Sequence, residues 1–209
     1  MNLSILGIPA ALAVVTASAS AQDGMLRAWM DAPETIIAGE TVSVSAWVTL
    51  ESSIINMDEA FFSEIATSIN VSQGESMIDS FSSSHGQFVR VAGTPTTTGI
   101  NDIWSWQPGP WEFAGSVDTA PVIAAFSFEL TTLNDARGLI QLDFAGTTWR
   151  PESPYLAWNL DLDHSVRVDV DMPNIEGIFE STTIRVIPPP GTSALLMFVG
   201  LGAMRRQRQ

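Results

Sequence analysis

Residues able to do chemistry are few in this chain, and their spacing narrows what that chemistry could be. Asp161-Leu162-Asp163 and Asp169-Val170-Asp171 each place two carboxylates at i and i+2. On a strand both members of such a pair project from one face, within reach of a single hard cation. Calcium takes about six to eight oxygens from carboxylates, carbonyls and water, so Asp161, Asp163, Asp169 and Asp171 are a candidate calcium site. The D-x-D-x-D-G loop of an EF-hand is absent. The plain alternative is a solvated strand face in which Arg167 offsets the carboxylate repulsion.

Nucleophilic catalysis has less to work with. The chain has two histidines, His85 and His164. Ser82-Ser83-Ser84-His85 sets hydroxyls beside an imidazole, but the run is Ser-rich and reads as a mobile loop over 72–85. No G-x-S-x-G elbow is present, and a Ser-His-Asp site needs a rigid scaffold with an oxyanion hole. His164 follows Asp161 and Asp163 and reads as the start of a strand. Without H-E-x-x-H or paired histidines, zinc hydrolysis has no support. With 23 acids in the chain, the two carboxylates that a glycosidase needs are always to be found, so their presence is uninformative. A small hydrolase using these acids or His85 stays an alternative. Cysteine is absent, which removes thiol catalysis and zinc-thiolate sites.

Seven tryptophans stand against one tyrosine. Trp104-Ser105-Trp106 puts two indoles on one strand face, and Trp111 follows the Pro108-Gly109-Pro110 turn. Exposed rings held in a plane stack on sugar faces, so Trp104, Trp106 and Trp111 form a candidate glycan platform. The competing reading is that they roof one end of a core, since large aromatics dominate burial. Trp29, Trp47, Trp149 and Trp158 read as core or loop packing, with Trp47 out of phase with the valines of its strand.

The elements that must position these residues carry a period-2 signal. In Thr41 to Leu50, Val42, Val44, Ala46, Val48 and Leu50 share one face. Val122 to Leu130, Leu139 to Phe144, Ser165 to Asp171 (Val166, Val168 and Val170 inward) and Ile178 to Ile187 read as further strands, with Leu26 to Met30 and Gln87 to Val91 weaker. Turns fall at Ala38-Gly39-Glu40, Gly93-Thr94-Pro95, Asn134-Asp135, Arg137-Gly138 and Pro173-Asn174. Met57 to Val71 fits a short helix or a long strand equally. Many short strands with such turns predict an all-β chain folded as an antiparallel β-sandwich.

The ends have a different composition. Leu3 to Val15 is apolar and Ala19-Ser20-Ala21 is an A-x-A cleavage site, although no Lys or Arg precedes the apolar run. At the other end Pro188, Pro189, Pro190 and Gly191 break any preceding strand. An uncharged run from Thr192 to Met204 follows, and Arg205, Arg206 and Arg208 close the sequence. Thirteen helical residues span roughly 20 Å, short of the roughly 30 Å hydrocarbon core. An apolar segment capped by arginines stops with its cationic end cytoplasmic.

The organisation expected is a signal peptide over 1–21, an acidic sandwich over 22–187 and a tail over 188–209. All 23 acids lie before the tail but only six of the nine cationic residues do: Arg27, Arg90, Arg137, Arg150, Arg167 and Arg185. The sandwich is therefore more acidic than the whole chain at −14, and lysine is absent. Such a charge repels nucleic acid and anionic lipid, so both are poor partners.

The tail resembles the PEP-CTERM sorting signal of bacterial surface proteins, through Pro188-Pro189-Pro190-Gly191-Thr192, Ala194-Leu195-Leu196 and the arginine cluster. Pro189 stands where that family's motif has glutamate. The resemblance implies export, transient membrane contact through the tail, processing by an exosortase-like enzyme, and delivery to the cell surface or an exopolysaccharide matrix, while signal peptidase is the partner expected at Ala19-Ser20-Ala21. Ala38-Gly-Glu-Thr-Val-Ser-Val and Ala125-Phe-Ser-Phe-Glu-Leu are similar to the opening and core strands of cohesin and carbohydrate-binding-module sandwiches, which implies a jelly-roll or cohesin/Ig-like fold. The function expected is a non-enzymatic surface or matrix protein, with glycan binding through tryptophan as the alternative. No cofactor is expected beyond the candidate calcium.

Overall fold

Alternation of small polar and branched apolar side chains is realised almost throughout. A computed structural model describes residues 24–52, 60–108, 118–160 and 166–190. Its strands in chain order are β1 (Gly24–Asp31), β2 (Thr35–Ile37), β3 (Thr41–Glu51), β4 (Phe61–Gln73), β5 (Ile78–Phe81), β6 (Val89–Thr96), β7 (Gly99–Trp106), β8 (Val122–Thr132), β9 (Gly138–Ala145), β10 (Tyr155–Asn159), β11 (Arg167–Asp169), β12 (Ile175–Phe179) and β13 (Thr182–Ile187). Among the described residues the only helical element is a single 3-10 turn, Glu75–Met77. The chain is all-β, as the patterning predicts.

The strands form two sheets. One has the order β12-β1-β3-β8-β5. The other runs β11-β10-β4-β9-β13-β2, with β7 added to β4 and β6 to β7. Their facing sides make one core, in which Val44, Ala46, Val48, Phe126, Phe128 and Leu130 of the first sheet meet Phe62, Ile65, Ile69, Ile103, Ile140 and Ile184 of the second. Trp158 is fully buried and packs edge-to-face on Phe62 at 5.9 Å, and Phe62 meets Phe88 at 5.7 Å. Burying side chains of this size contributes about 1.5–3 kcal/mol each, and with no disulfide this core is what holds the sheets together.

Several expectations need correction. The sandwich is mixed, because β1 pairs β12 and β13 pairs β2 in parallel. Met57 to Val71 resolves as strand from Phe61, since three neighbours (β10, β7 and β9) bond to β4 and override any helical preference. The Ser-rich stretch 72–85 is structured: it holds the 3-10 turn and β5, and His85 exchanges backbone bonds of 2.7 and 2.8 Å with Ser127. Gly93-Thr94-Pro95 lies inside β6. There proline is tolerated because β6 pairs only β7, so its missing N–H costs no ladder bond on the open side. Val166 is 49% exposed and lies before β11 rather than inward. The strand expected over Ile178 to Ile187 is two strands in different sheets. Glu180 marks the crossing: its N–H bonds Ala28 O at 2.9 Å and its carboxylate takes both arms of Arg27 at 2.7 and 2.9 Å. β13 ends at Ile187, where the three prolines begin.

Candidate functional site

The outer face of the second sheet carries a concave aromatic surface that also holds converging charged groups. Its floor follows from register. Ala66 of β4 lies between Trp104 of β7 and Tyr155 of β10, and Glu64 lies between Trp106 and Ala157. Small residues flanked by large ones leave a groove. Its walls are Trp104 on one side and Trp149, Arg150 and Tyr155 on the other, enclosing an open cleft of about 440 Å³ with Glu64 and Ala66 beneath. This volume lies within the range of roughly 300–1,000 Å³ usual for small-molecule sites.

Trp104 and Trp106 are near-parallel, 21° between planes and 6.2 Å between centroids, so they form a strip two indoles long. The Arg90 guanidinium lies 5.5 Å over the Trp106 ring at the far end. Trp104 is fixed by its indole N–H, which donates to Glu64 Oε2 at 2.8 Å. The other Glu64 oxygen accepts from Arg167 at 2.5 Å. Arg167 also donates to the Tyr155 hydroxyl at 2.6 Å, and that hydroxyl donates to Asp169 Oδ2 at 3.1 Å. Arg150 lies 4.6 Å over the Tyr155 ring and pairs with Asp171.

Burial pushes the Tyr155 phenol up to about 12; the charge of Arg167 pulls the other way, and Asp169 adds to the rise. Burial also works against the charge of Arg167, but Glu64 and Tyr155 outweigh it and hold the guanidinium above its ordinary range. Arg150 draws the Asp171 carboxyl below the usual carboxylate range. Arg150, Arg167 and Asp171 are thus held in their charged forms, and the phenol in its neutral form, at neutral pH.

The far wall is a tight turn. Thr147 and Arg150 bond each other's backbones at 2.9 and 3.1 Å, and Gly146 is so close that a Cβ there would come within 2.4 Å of Arg150 O. Asp102, in the left-handed region at φ 62°, accepts from Thr148 N at 2.7 Å and from the Thr148 hydroxyl at 2.8 Å. The turn therefore presents Trp149, 57% exposed, on a braced support.

The structure brings together part of what the sequence singles out. Trp104 and Trp106 are adjacent, as the i, i+2 spacing predicts. Trp104 lines the cleft and Trp106 continues the strip beyond it. Trp158 is core, but Trp149 is not packed away: it stands at the turn tip, a correction. Asp169 and Asp171 do not share a strand face, because β11 ends at Asp169 and Asp171 lies in the turn that follows. Asp169 Oδ1 accepts from the Asp171 N–H at 3.0 Å, and their remaining bonds go to Tyr155 and Arg150. No three His, Cys, Asp or Glu side chains converge as a cation site among the described residues. His85 is exposed, and the Ser82 and Ser84 hydroxyls donate to the backbone oxygens of Ser83 and Ala92. Trp111, Asp161, Asp163, His164, Ala19, Ala21, Gly191, Arg205, Arg206 and Arg208 lie outside the described residues.

Glu64, Arg150, Tyr155 and Arg167 are site residues that sequence reading misses. They come from three separate strands and a turn, and the pairing of β10 with β4 on one side and β11 on the other makes neighbours of the three strand residues. The one available signal was the chain's lone tyrosine, five residues after the Trp149-Arg150 pair.

No family model matches the chain. No curated protein matches it in sequence. Among solved structures it is similar to a cohesin module from a Clostridium perfringens family 33 glycoside hydrolase, at 6% identity over 78% of this chain and 98% of that one, TM-score 0.47. It is also similar to the CARDB domain of a Pyrococcus furiosus protein solved with two metal ions, at 10% identity over 81% and 99%, TM-score 0.33. A third is AvmM, which catalyses macrocyclization in alchivemycin A biosynthesis, at 12% identity over 81% and 91%, TM-score 0.30. At these identities and scores the likenesses carry no argument about ligand or activity.

Proposed function

We propose that this chain is an exported, non-enzymatic protein of the cell surface or extracellular matrix, and that its sandwich binds a glycan in the Trp104–Trp149 cleft. The observation that carries the binding reading is the cleft itself: two tryptophans from separate elements face one groove whose polar groups are tied to one another. Stacking on sugar faces needs such rings held without side-chain freedom, and here Glu64 and the Asp102-braced turn supply the restraint. The same tying argues against hydrolysis. Among the described residues Glu64 is the only carboxylate lining the cleft, and both its oxygens are occupied, whereas a glycosidase needs two carboxyls flanking the bond. Export rests on the apolar N-terminus with its Ala19-Ser20-Ala21 site and on the Pro188 to Arg208 tail, with exosortase-like processing as the route.

Affinity electrophoresis through gels cast with matrix polysaccharides tests the binding. Retardation of the full chain is expected, reduced roughly tenfold in apparent affinity by Trp104→Ala, in line with about 1–3 kcal/mol for a lost aromatic stack. Trp47→Ala, on the other sheet, should leave retardation unchanged. Equal retardation of wild type and Trp104→Ala would remove the cleft from the account. Intact-mass spectrometry on surface fractions tests export: a species starting at Gln22 and ending near Pro190 is expected, and one retaining Arg205 to Arg208 contradicts processing.

A further inference from the structure

A cleft that stacks sugars still has to select them, and its charges point to which. We infer that the ligand is a carboxylate-bearing glycan, a polyuronate, whose carboxylates are taken by Arg150 in the cleft and Arg90 at the far end of the Trp104–Trp106 strip. This rests on the glycan reading above and adds its substrate class.

The chain has no lysine, and 23 acids outnumber its nine arginines. Even so, Arg90, Arg150 and Arg167 all gather on this one face, each guanidinium within 5.5 Å of the centroid of an aromatic ring. Arg167 is committed to Glu64 and Tyr155. The other two are not committed in that way. Arg90 has no acidic partner among the described ion pairs and lies on the exposed edge strand β6. Arg150 lines the cleft and pairs through one nitrogen with Asp171, whose side chain is 57% exposed on the rim. Exposed pairs contribute little, so a ligand carboxylate can replace Asp171 in the guanidinium fork, which suits bidentate recognition. Asp171 is an internal stand-in for the ligand's own group.

Other guests fit less well. An amine-bearing sugar would meet two guanidinium groups. A neutral sugar would use the rings and leave Arg90 without a role. The overall acidity opposes a polyanion at long range, but charges beyond about 8 Å are screened at physiological salt while contact pairs are not.

The test is affinity electrophoresis of the full chain, in EDTA to remove calcium bridging, through polygalacturonate, its carboxyl-reduced counterpart and dextran sulfate. Polygalacturonate should retard it roughly tenfold more strongly than the reduced polymer, as charge-assisted bonds imply. Arg150→Gln and Arg90→Gln should each erase most of that difference. Asp171→Asn, which removes the competing charge while its amide oxygen can still hold Arg150 in place, should strengthen polygalacturonate binding and leave the reduced polymer unchanged. Equal retardation by polygalacturonate and its reduced form, or no response to any of the three substitutions, overturns the acid selectivity and leaves the glycan reading standing. Dextran sulfate binding as well as polygalacturonate overturns it in favour of unspecific charge attraction. No retardation by any polymer overturns both readings.

Discussion

Tyr155 is the only tyrosine in the chain, so its ionisation can be followed by tyrosinate absorbance without interference. Its phenol, pushed up to about 12 chiefly by burial, binds its proton more tightly in the folded state than in the unfolded chain, where about 10 is usual. The stabilisation is therefore complete below about pH 10 and is lost as pH rises toward 12. Tyrosinate absorbance should appear near pH 12 in the folded protein and near 10 in denaturant, and Tyr155→Phe should lose this alkaline component of stability. Titration near 10 in the folded state would mean the phenol is not buried in the cleft wall. Trp158 makes the contrasting case in the core. Its ring is fully buried against Phe62, so Trp158→Ala should cost about 3–5 kcal/mol in denaturant unfolding. The two fates of tryptophan show what a sequence discloses at this scale. Trp158 lies among apolar neighbours and reads as core, whereas Trp149, between Thr148 and Arg150, has a role set by a turn bonded to Asp102, 46 residues earlier. No local pattern contains that bond.

The braced turn is also the element whose behaviour is easiest to test. Asp102 adopts a left-handed conformation that costs most side chains roughly 1–2 kcal/mol, and Asn is among the few that tolerate it. Asp102→Ala loses the Thr148 bonds as well, so it should destabilise the protein by about 1–3 kcal/mol and weaken glycan retardation. Asp102→Asn should cost less on both counts. Equal effects would show that backbone geometry, and not the carboxylate, is irrelevant to the turn. Gly99 is a stricter case: at φ 147° a Cβ would lie 1.8 Å from Ile69 O, so β7 can pack on β4 only with glycine there. Strands β3, β8 and β9 are legible because each has one buried face and thus a clean alternation. β4 is not, since burial along it is nearly continuous from Phe61 to Ile69. Such a run fits helix or strand until its neighbours are known.

At the scale of the whole molecule, the composition announces an acidic all-β chain, and the sandwich bears this out. Which strands meet is beyond it, because pairing such as β4 with β7 and β10 depends on contacts distant in sequence. That pairing turns scattered residues into a groove and gathers three of the arginines on one face of an acidic body. The proposed glycan binding by one face of the sandwich follows from that placement. The seven indole N–H groups offer the most direct test, as each gives its own proton–nitrogen NMR signal. Titration with oligogalacturonate should shift the signals of Trp104 and Trp149 and leave those of Trp158 in the core and Trp29 and Trp47 on the opposite sheet in place. Shifts confined to Trp29 and Trp47, or none at any indole, would contradict the assignment of the cleft.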